Sequence, residues 1–311
     1  MKNYPISGAR WVTAIALVCG LIPSMVIAKD RSSTTSYARD DSERLLAKSS
    51  FVSIPVSDSG KEWSLGAVLH VPYGFEGKRP AVVIIHGSGG VDSRGGHYAN
   101  ALNHAGYVTL EVDLWAARGV QSAGGRPKSV IETLPDAFAS LNFLTQMTGT
   151  VDSERIGITG FSWGGVVSML SANRAYREKY GTGVQKFAAH APFYPVCWGY
   201  NVVRGYDFKN LTGAKILIQA GKADVYDAPE TCSNMVASLA SADAALVELV
   251  MYDNATHAWD RREPDATVPD PASHVGKGGM VPLRYNAAVT RKSTEKLLEF
   301  FAETLGGQSL P

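Results

Sequence analysis

The chain has 311 residues, 30 Lys and Arg against 29 Asp and Glu, and 45% hydrophobic residues. That length supports one sizeable α/β domain, and a net charge of +1 gives no electrostatic footprint for nucleic acid or another polyanion. No Gly-rich phosphate loop, Cys-x-x-Cys or His-Glu-x-x-His pattern occurs, so no metal, nucleotide or other cofactor is expected.

Residues 1–28 read as a signal peptide. Lys2 and Arg10 give a basic start, Trp11 to about Ile27 an apolar core, and Val26-Ile27-Ala28 a cleavage site before Lys29. Gly20, Pro23 and Ser24 interrupt the apolar run, which argues against a permanent membrane helix. A lipid anchor at Cys19 is the alternative, disfavoured because Ala16-Leu17-Val18 puts no small residue next to the cysteine. The protein is therefore expected to be exported, periplasmic or secreted, with no stable membrane insertion after cleavage. Residues 29–49 are polar and read as a loose tail, and residues 50–311 as a single domain. Export would let Cys197 and Cys232 pair, two buried free thiols being the alternative.

Within the domain, residues 51–56 and 63–71 alternate in polarity around Ser57-Asp58-Ser59-Gly60 and predict an antiparallel hairpin. Ala81-Val82-Val83-Ile84-Ile85 is continuously apolar, as a strand buried on both faces should be. A helix near 97–105 and a strand over 107–112 follow. A long helix is predicted over 129–146, with Ile131, Leu134, Phe138, Leu141 and Leu144 at helical spacing. Then come a strand at 156–159, a helix over 164–177, and strands at 187–191 and 215–219. A helix at 228–240, a strand at 246–251 and an amphipathic helix over 286–305 close the chain. Strands alternating with helices predict an α/β fold with a mostly parallel sheet covered by helices on both faces. Residues 261–283, rich in Pro, Gly and Asp, show no periodicity and read as a long irregular loop, of the kind that caps a site.

The most informative segment is Gly160-Phe161-Ser162-Trp163-Gly164-Gly165, between a strand and a helix. A nucleophilic serine at such a turn must hold a strained backbone, and small residues two places before and after it let strand and helix approach. An ordinary glycine-rich turn is the alternative. His86-Gly87-Ser88-Gly89-Gly90 follows the first buried strand, where backbone N–H groups can face a developing oxyanion. Ser88 is the first choice of donor, Gly87 the second, acting jointly with Trp163. Of the seven histidines, His257 alone follows a strand downstream of the serine and its acid, and it suits the general base. His86 competes, but at the oxyanion turn its side chain more often braces the loop. Asp224 closes the preceding strand and can orient the imidazole, with Asp227 as a substitute. The order Ser162, Asp224, His257 is that of an α/β-hydrolase.

Several of these motifs together resemble the dienelactone hydrolase family. They are the elbow, Gly221-Lys222-Ala223-Asp224 with Cys232 eight residues on, Thr256-His257-Ala258-Trp259-Asp260, Asp113-Leu114-Trp115-Ala116 with Arg118, and Tyr285-Asn286-Ala287-Ala288. The resemblance spans about Phe51 to Phe301. It implies an eight-stranded α/β-hydrolase fold and hydrolysis of an ester or lactone through an acyl-enzyme. Namesake members carry a cysteine at the elbow and a glutamate near the oxyanion turn, where this chain has Ser162 and Gly87-Ser88-Gly89. The two departures agree, since a serine needs its histidine as base and has no use for a thiolate-gating acid. Arg118 resembles a carboxylate-binding arginine of the family with a one-residue offset, a surface ion pair being the alternative. Trp115 and Trp259, with Trp163, Trp198 and Tyr200, are candidates for an apolar substrate pocket. The chain thus reads as an exported serine hydrolase of small esters or lactones. The alternatives are a peptidase on the same scaffold and a non-catalytic binding protein.

Overall fold

A computed structural model describes residues 47–306. The expected signal peptide and most of the expected tail lie outside the described residues. Strands β1 (Ala47–Asp58) and β2 (Lys61–Pro72) pair antiparallel along their whole length. Their turn is Ser59-Gly60, with φ of 50° and 78°, the handedness a two-residue hairpin turn needs. Because β1 starts at Ala47, the last three residues of the expected tail belong to the sheet.

The remaining elements are β3 (Arg79–Ile85), α1 (Ser93–His104), β4 (Val108–Asp113), α2 (Leu134–Thr145), β5 (Val151–Phe161), α3 (Trp163–Ser171), α4 (Arg174–Tyr180), β6 (Ala189–Phe193), β7 (Lys215–Gly221), α5 (Thr231–Ala237), α6 (Ser241–Ala244), β8 (Val247–Tyr252), β9 (Ala266–Asp270), α7 (Ser273–Gly276), β10 (Gly279–Leu283) and α8 (Ala287–Leu305). Eight strands form one sheet in the order β1-β2-β4-β3-β5-β6-β7-β8. Pairing is antiparallel from β1 to β4 and parallel from there to β8. This is the α/β-hydrolase arrangement, with helices on both faces.

Strand β3 shows how the core divides. Successive side chains of a strand point to opposite faces. Val82 and Ile84 pack with Tyr98 and Leu102 of α1 and Leu297 and Phe301 of α8. Val83 and Ile85 pack on the other side with Phe138 of α2, Val167 of α3 and Met235 of α5. A strand buried on both faces has no polar side to show, hence its continuous apolar run. Among the described residues no helix is long and apolar enough to cross a membrane.

Three predicted elements differ from the structure. The helix expected over 129–146 begins as a 3-10 turn, Val130–Thr133, capped by Ser129 and Glu132, and restarts as α2 at Leu134. Pro135 lacks the N–H that would continue the first turn's hydrogen bonds. The helix expected over 164–177 divides into α3 and α4. Asn173 leaves helical geometry and its Oδ1 accepts from the N–H groups of Ala175 and Tyr176, which makes it a cap. Finally, residues 261–283 are not irregular throughout, for β9 and β10 pair antiparallel within them as a separate two-stranded sheet. Pro269 and Pro282 sit in those strands, and proline is tolerated there because both strands are edges.

His190 of β6 is fully buried. Its Nδ1–H donates to the Ser168 carbonyl at 2.9 Å, while Nε2 has no partner among the described residues. Burial lowers its pKa to about 3 from 6.5. The unfolded chain therefore takes up a proton below about pH 6.5 that the folded protein refuses until about pH 3, so this group removes stability as pH falls through that window. Asp136 and Asp227, both pushed up to about 6 by burial, act in the opposite sense and are common to wild type and variant. His190→Asn keeps a donor toward Ser168 and does not titrate. Between pH 7 and 4.5 it should lose about 2–3 kcal/mol less stability than wild type, read by urea unfolding at the two pH values. Equal losses would show that His190 is protonated in the fold.

Candidate active site

Ser162 stands between β5 and α3 with φ 52° and ψ −108°. A serine held in that region is strained by about 1–3 kcal/mol and persists only where its surroundings enforce it. The enforcement is steric. A Cβ on Gly160 would lie 2.4 Å from the Gly164 carbonyl oxygen, and one on Gly164 would lie 2.2 Å from that of Ile85. On Gly165 it would meet the Phe193 carbonyl oxygen at 2.6 Å. Strand and helix therefore approach backbone to backbone. The Ser162 N–H donates to Phe193 O at 3.0 Å, and Ser162 O accepts from Val166 N at 2.9 Å.

The loops after β7 and β8 interlock. Gly221 has its α-carbon so close to Ala255 that a Cβ would lie 2.2 Å from the Ala255 carbonyl, and Ala223 N donates to that same oxygen at 3.1 Å. This seats Asp224 against His257. Nδ1 of His257 is 2.7 Å from Asp224 Oδ2, and Asp224 Oδ1 accepts from Tyr226 N at 3.0 Å. Both side chains are buried, and among the described residues Nε2 of His257 has no hydrogen-bond partner. The Tyr226 and Tyr194 rings flank the imidazole at 4.2 and 4.8 Å. Asp227 takes a different role. Its carboxylate accepts from the Cys197 and Trp198 N–H groups, both at 2.8 Å, and burial pushes its pKa up to about 6.

The glycine-rich turn after β3 is pinned from several sides. The Gly87 carbonyl accepts from Gly90 N at 3.0 Å and from His86 Nδ1 at 2.7 Å. His86 Nε2 accepts from Leu114 N at 3.0 Å, so Nδ1 carries the proton. Holding that carbonyl fixes the 87–88 peptide plane, and with it the direction of the Ser88 N–H. The Ser88 carbonyl in turn accepts from Trp115 Nε1 at 3.0 Å. Trp163 is the first residue of α3, so its N–H has no intrahelical acceptor.

Ser88, Ser162, Trp163 and Tyr226 open onto one cavity of about 330 Å³. Val130, Val166, Val196, Trp198 and Tyr206 make its apolar wall, and Arg126, Lys128 and Asp270 its polar rim. The segment after β9 closes over it: Arg126 pairs with Asp270 at 2.8 Å, and Trp198 Nε1 donates to Ala272 O at 2.9 Å. Of residues 261–283, Asp270, Pro271, Ala272 and Gly276 line this cavity. Cys197 and Cys232 are joined in a disulfide, which ties the Trp198 turn to α5.

The sequence model of the dienelactone hydrolase family matches residues 65–305. The chain belongs to the dienelactone hydrolase family. Among solved structures, a Klebsiella pneumoniae protein classed as a dienelactone hydrolase superposes with a TM-score of 0.61 at 20% identity, covering 82% of this chain and 99% of its own. A dienelactone hydrolase-like promiscuous phosphotriesterase from metagenomic libraries gives 0.58 at 18% identity, with 83% and 99% covered. An esterase of Thermogutta terrifontis with bound butyrate gives 0.61 at 16% identity, with 86% and 98% covered. These likenesses establish the fold. No curated protein matches the chain. Family membership makes the protein a hydrolase of ester type acting on a small molecule.

Within this dienelactone hydrolase-family domain, three expected substrate residues lie elsewhere. Arg118 is neither at the cavity nor in a surface pair. It ion-pairs at 2.8 Å with fully buried Asp136 and stacks on Trp63 at 4.9 Å. Trp259 is fully buried, donating to Ser293 Oγ at 3.2 Å among Tyr194 and Tyr252, so it is core. Trp115 braces the Ser88 turn and packs on Trp163 at 5.5 Å, without lining the cavity. Tyr200 is likewise buried outside it. Arg126, Lys128, Tyr226 and Asp270 line the cavity without having been singled out. Only Tyr226 carried a signal, two residues past Asp224; Arg126 and Lys128 come from a loop, and Asp270 from the end of β9, whose paths the sequence does not specify.

Gly164→Ala should destabilise the protein by about 2–3 kcal/mol, because its new methyl group meets backbone that cannot turn aside. Gly96→Ala in α1, with nothing within 4 Å of the new carbon, should be neutral or stabilising. Thermal unfolding of both variants checks the contrast; equal melting temperatures would refute the packing account.

Proposed function

We propose that this protein is an exported serine hydrolase that cleaves a small ester or lactone through an acyl-enzyme at Ser162. The observation that carries the reading is the buried Asp224–His257 pair: the Tyr226 ring packed on that imidazole lines the same cavity as Ser162, a serine held at positive φ, and His257 Nε2 has no hydrogen-bond partner among the described residues. In this reading His257 takes the Ser162 proton as Oγ bonds to the carbonyl carbon, while Asp224 holds the tautomer with the proton on Nδ1. The Ser88 and Trp163 N–H groups receive the negative charge that forms on the carbonyl oxygen. The proton then passes to the departing alkoxide, and water reverses the sequence to release the acid.

The relatives support the substrate class, one being an esterase that holds butyrate and another a phosphotriesterase. A 330 Å³ cavity with an aliphatic and aromatic wall suits an acyl or alcohol group of a few carbons. Export is supported by the leader pattern of residues 1–28 and by the disulfide, which persists in oxidising compartments.

A fluorophosphonate probe should add once to the wild-type protein and not at all to Ser162→Ala, read by intact mass. The same substitution should lower ester turnover about a millionfold while leaving the melting temperature near wild type. A folded wild-type protein that takes no adduct would overturn the serine hydrolase reading.

A further inference from the structure

Asp260, three residues past His257, is completely buried, and the reaction proposed above gives it no step. Its carboxylate accepts from two phenols, Tyr194 Oη at 2.5 Å on Oδ1 and Tyr98 Oη at 2.8 Å on Oδ2. Burial raises both phenol pKa values, so both are protonated donors. The Tyr194 oxygen also accepts from Arg94 Nη1 at 3.1 Å, and Arg94 pairs with Asp92 at 2.5 Å. A guanidinium and a carboxylate this deep are unfavourable unless every partner is in place, so the network tolerates few geometries.

The network reaches three parts of the site. The Arg94 guanidinium occupies the space beside Gly87, with Nη2 3.1 Å from where a Cβ would stand, and so backs the turn that carries Ser88. The same group lies over the Phe161 ring at 5.3 Å, directly before Ser162. Tyr194 follows Phe193, whose carbonyl holds the Ser162 N–H, and its ring meets the His257 ring in a T-shape. Tyr194 itself stands at φ 37°, a strained position for a bulky residue, kept there by its N–H on Gln219 O and its hydroxyl in the network.

We propose that Arg94, Tyr194 and Asp260 are positioning residues for the hydrolytic reaction, holding the oxyanion turn, the Ser162 elbow and the His257 ring in one register through the Tyr194 hydroxyl. The inference rests on the Ser162–Asp224–His257 reading. Its physical basis is that small misplacements of reacting groups weaken the chemical step far more than they weaken binding.

The test is the saturation kinetics of fluorophosphonate labelling for wild type, Tyr194→Phe, Asp260→Asn and the double variant, at a temperature where circular dichroism shows each folded. Tyr194→Phe removes one hydroxyl and should lower the maximal labelling rate about tenfold or more, with the half-saturating concentration within about twofold of wild type. Asp260→Asn should do at least as much. The double variant should be no slower than the worse single one, because both break the same link. A purely structural role would lower the melting temperature and leave the maximal rate alone, and that result overturns the proposal. So does a weakened half-saturation with an unchanged maximal rate. Should Asp260→Asn fail to fold, Tyr194→Phe decides the matter alone. Wild-type protein that does not label overturns the parent reading, whereas labelled wild type with an unaffected Tyr194→Phe overturns this proposal only.

Discussion

Backbone contact around the elbow is the constraint from which the rest of the site descends. Where Gly160, Gly164 and Gly165 face the carbonyls of Gly164, Ile85 and Phe193, no room remains for a single carbon atom. That contact pulls the start of α3 down onto the ends of β3, β5 and β6. It leaves Ser162 at positive φ, and Ser162 and Trp163 line one cavity with Ser88 of the turn after β3. A parallel sheet then brings the loops after β3, β5, β7 and β8 to one edge, the carboxyl ends of the strands, where α/β proteins bind ligands.

Around that edge, burial assigns different work to similar groups. Asp224 and Asp227 are three residues apart in one loop. The first faces His257; the second is turned toward two backbone N–H groups of the Cys197–Trp198 turn, where it fixes the cavity wall together with the disulfide. His86 and His257 differ in the same way. Both imidazole nitrogens of His86 are engaged by backbone, Nδ1 at the glycine-rich turn after β3 and Nε2 at Leu114 N, whereas His257 Nε2 has no hydrogen-bond partner among the described residues. A histidine with two backbone partners braces a loop. His257 instead has a carboxylate on Nδ1.

The cap over the cavity makes a related point about edges. A two-stranded ribbon with Pro269 and Pro282 in it could not serve as a central strand, but here each strand has one free side. The ribbon is fastened at its cavity end by polar links, Arg126 to Asp270 and Trp198 to the Ala272 carbonyl, which places charged groups at the rim of an otherwise apolar pocket.

Much was legible from the chain alone because it depends on local rules. Two-sided burial left continuous apolar runs such as residues 81–85, hairpin alternation exposed β1 and β2, and the glycines of the elbow announced a close approach before any partner atom was known. Strand ends and chain order restricted where candidates could stand, which singled out Ser162, Asp224 and His257, and the structure places Asp224 against His257. Other assignments depended on which loop lies against which. Arg118, Trp115 and Trp259 carry the same chemistry at the cavity as in the core, and only the folded chain puts them against Asp136, the Ser88 carbonyl and Ser293. Arg126 and Asp270 are 144 residues apart, and no periodicity or motif links them. Local sequence determines the elements and the strained turn; the side chains that wall and close the cavity are decided by long-range packing, because a side chain's neighbours are set by the path of the whole chain.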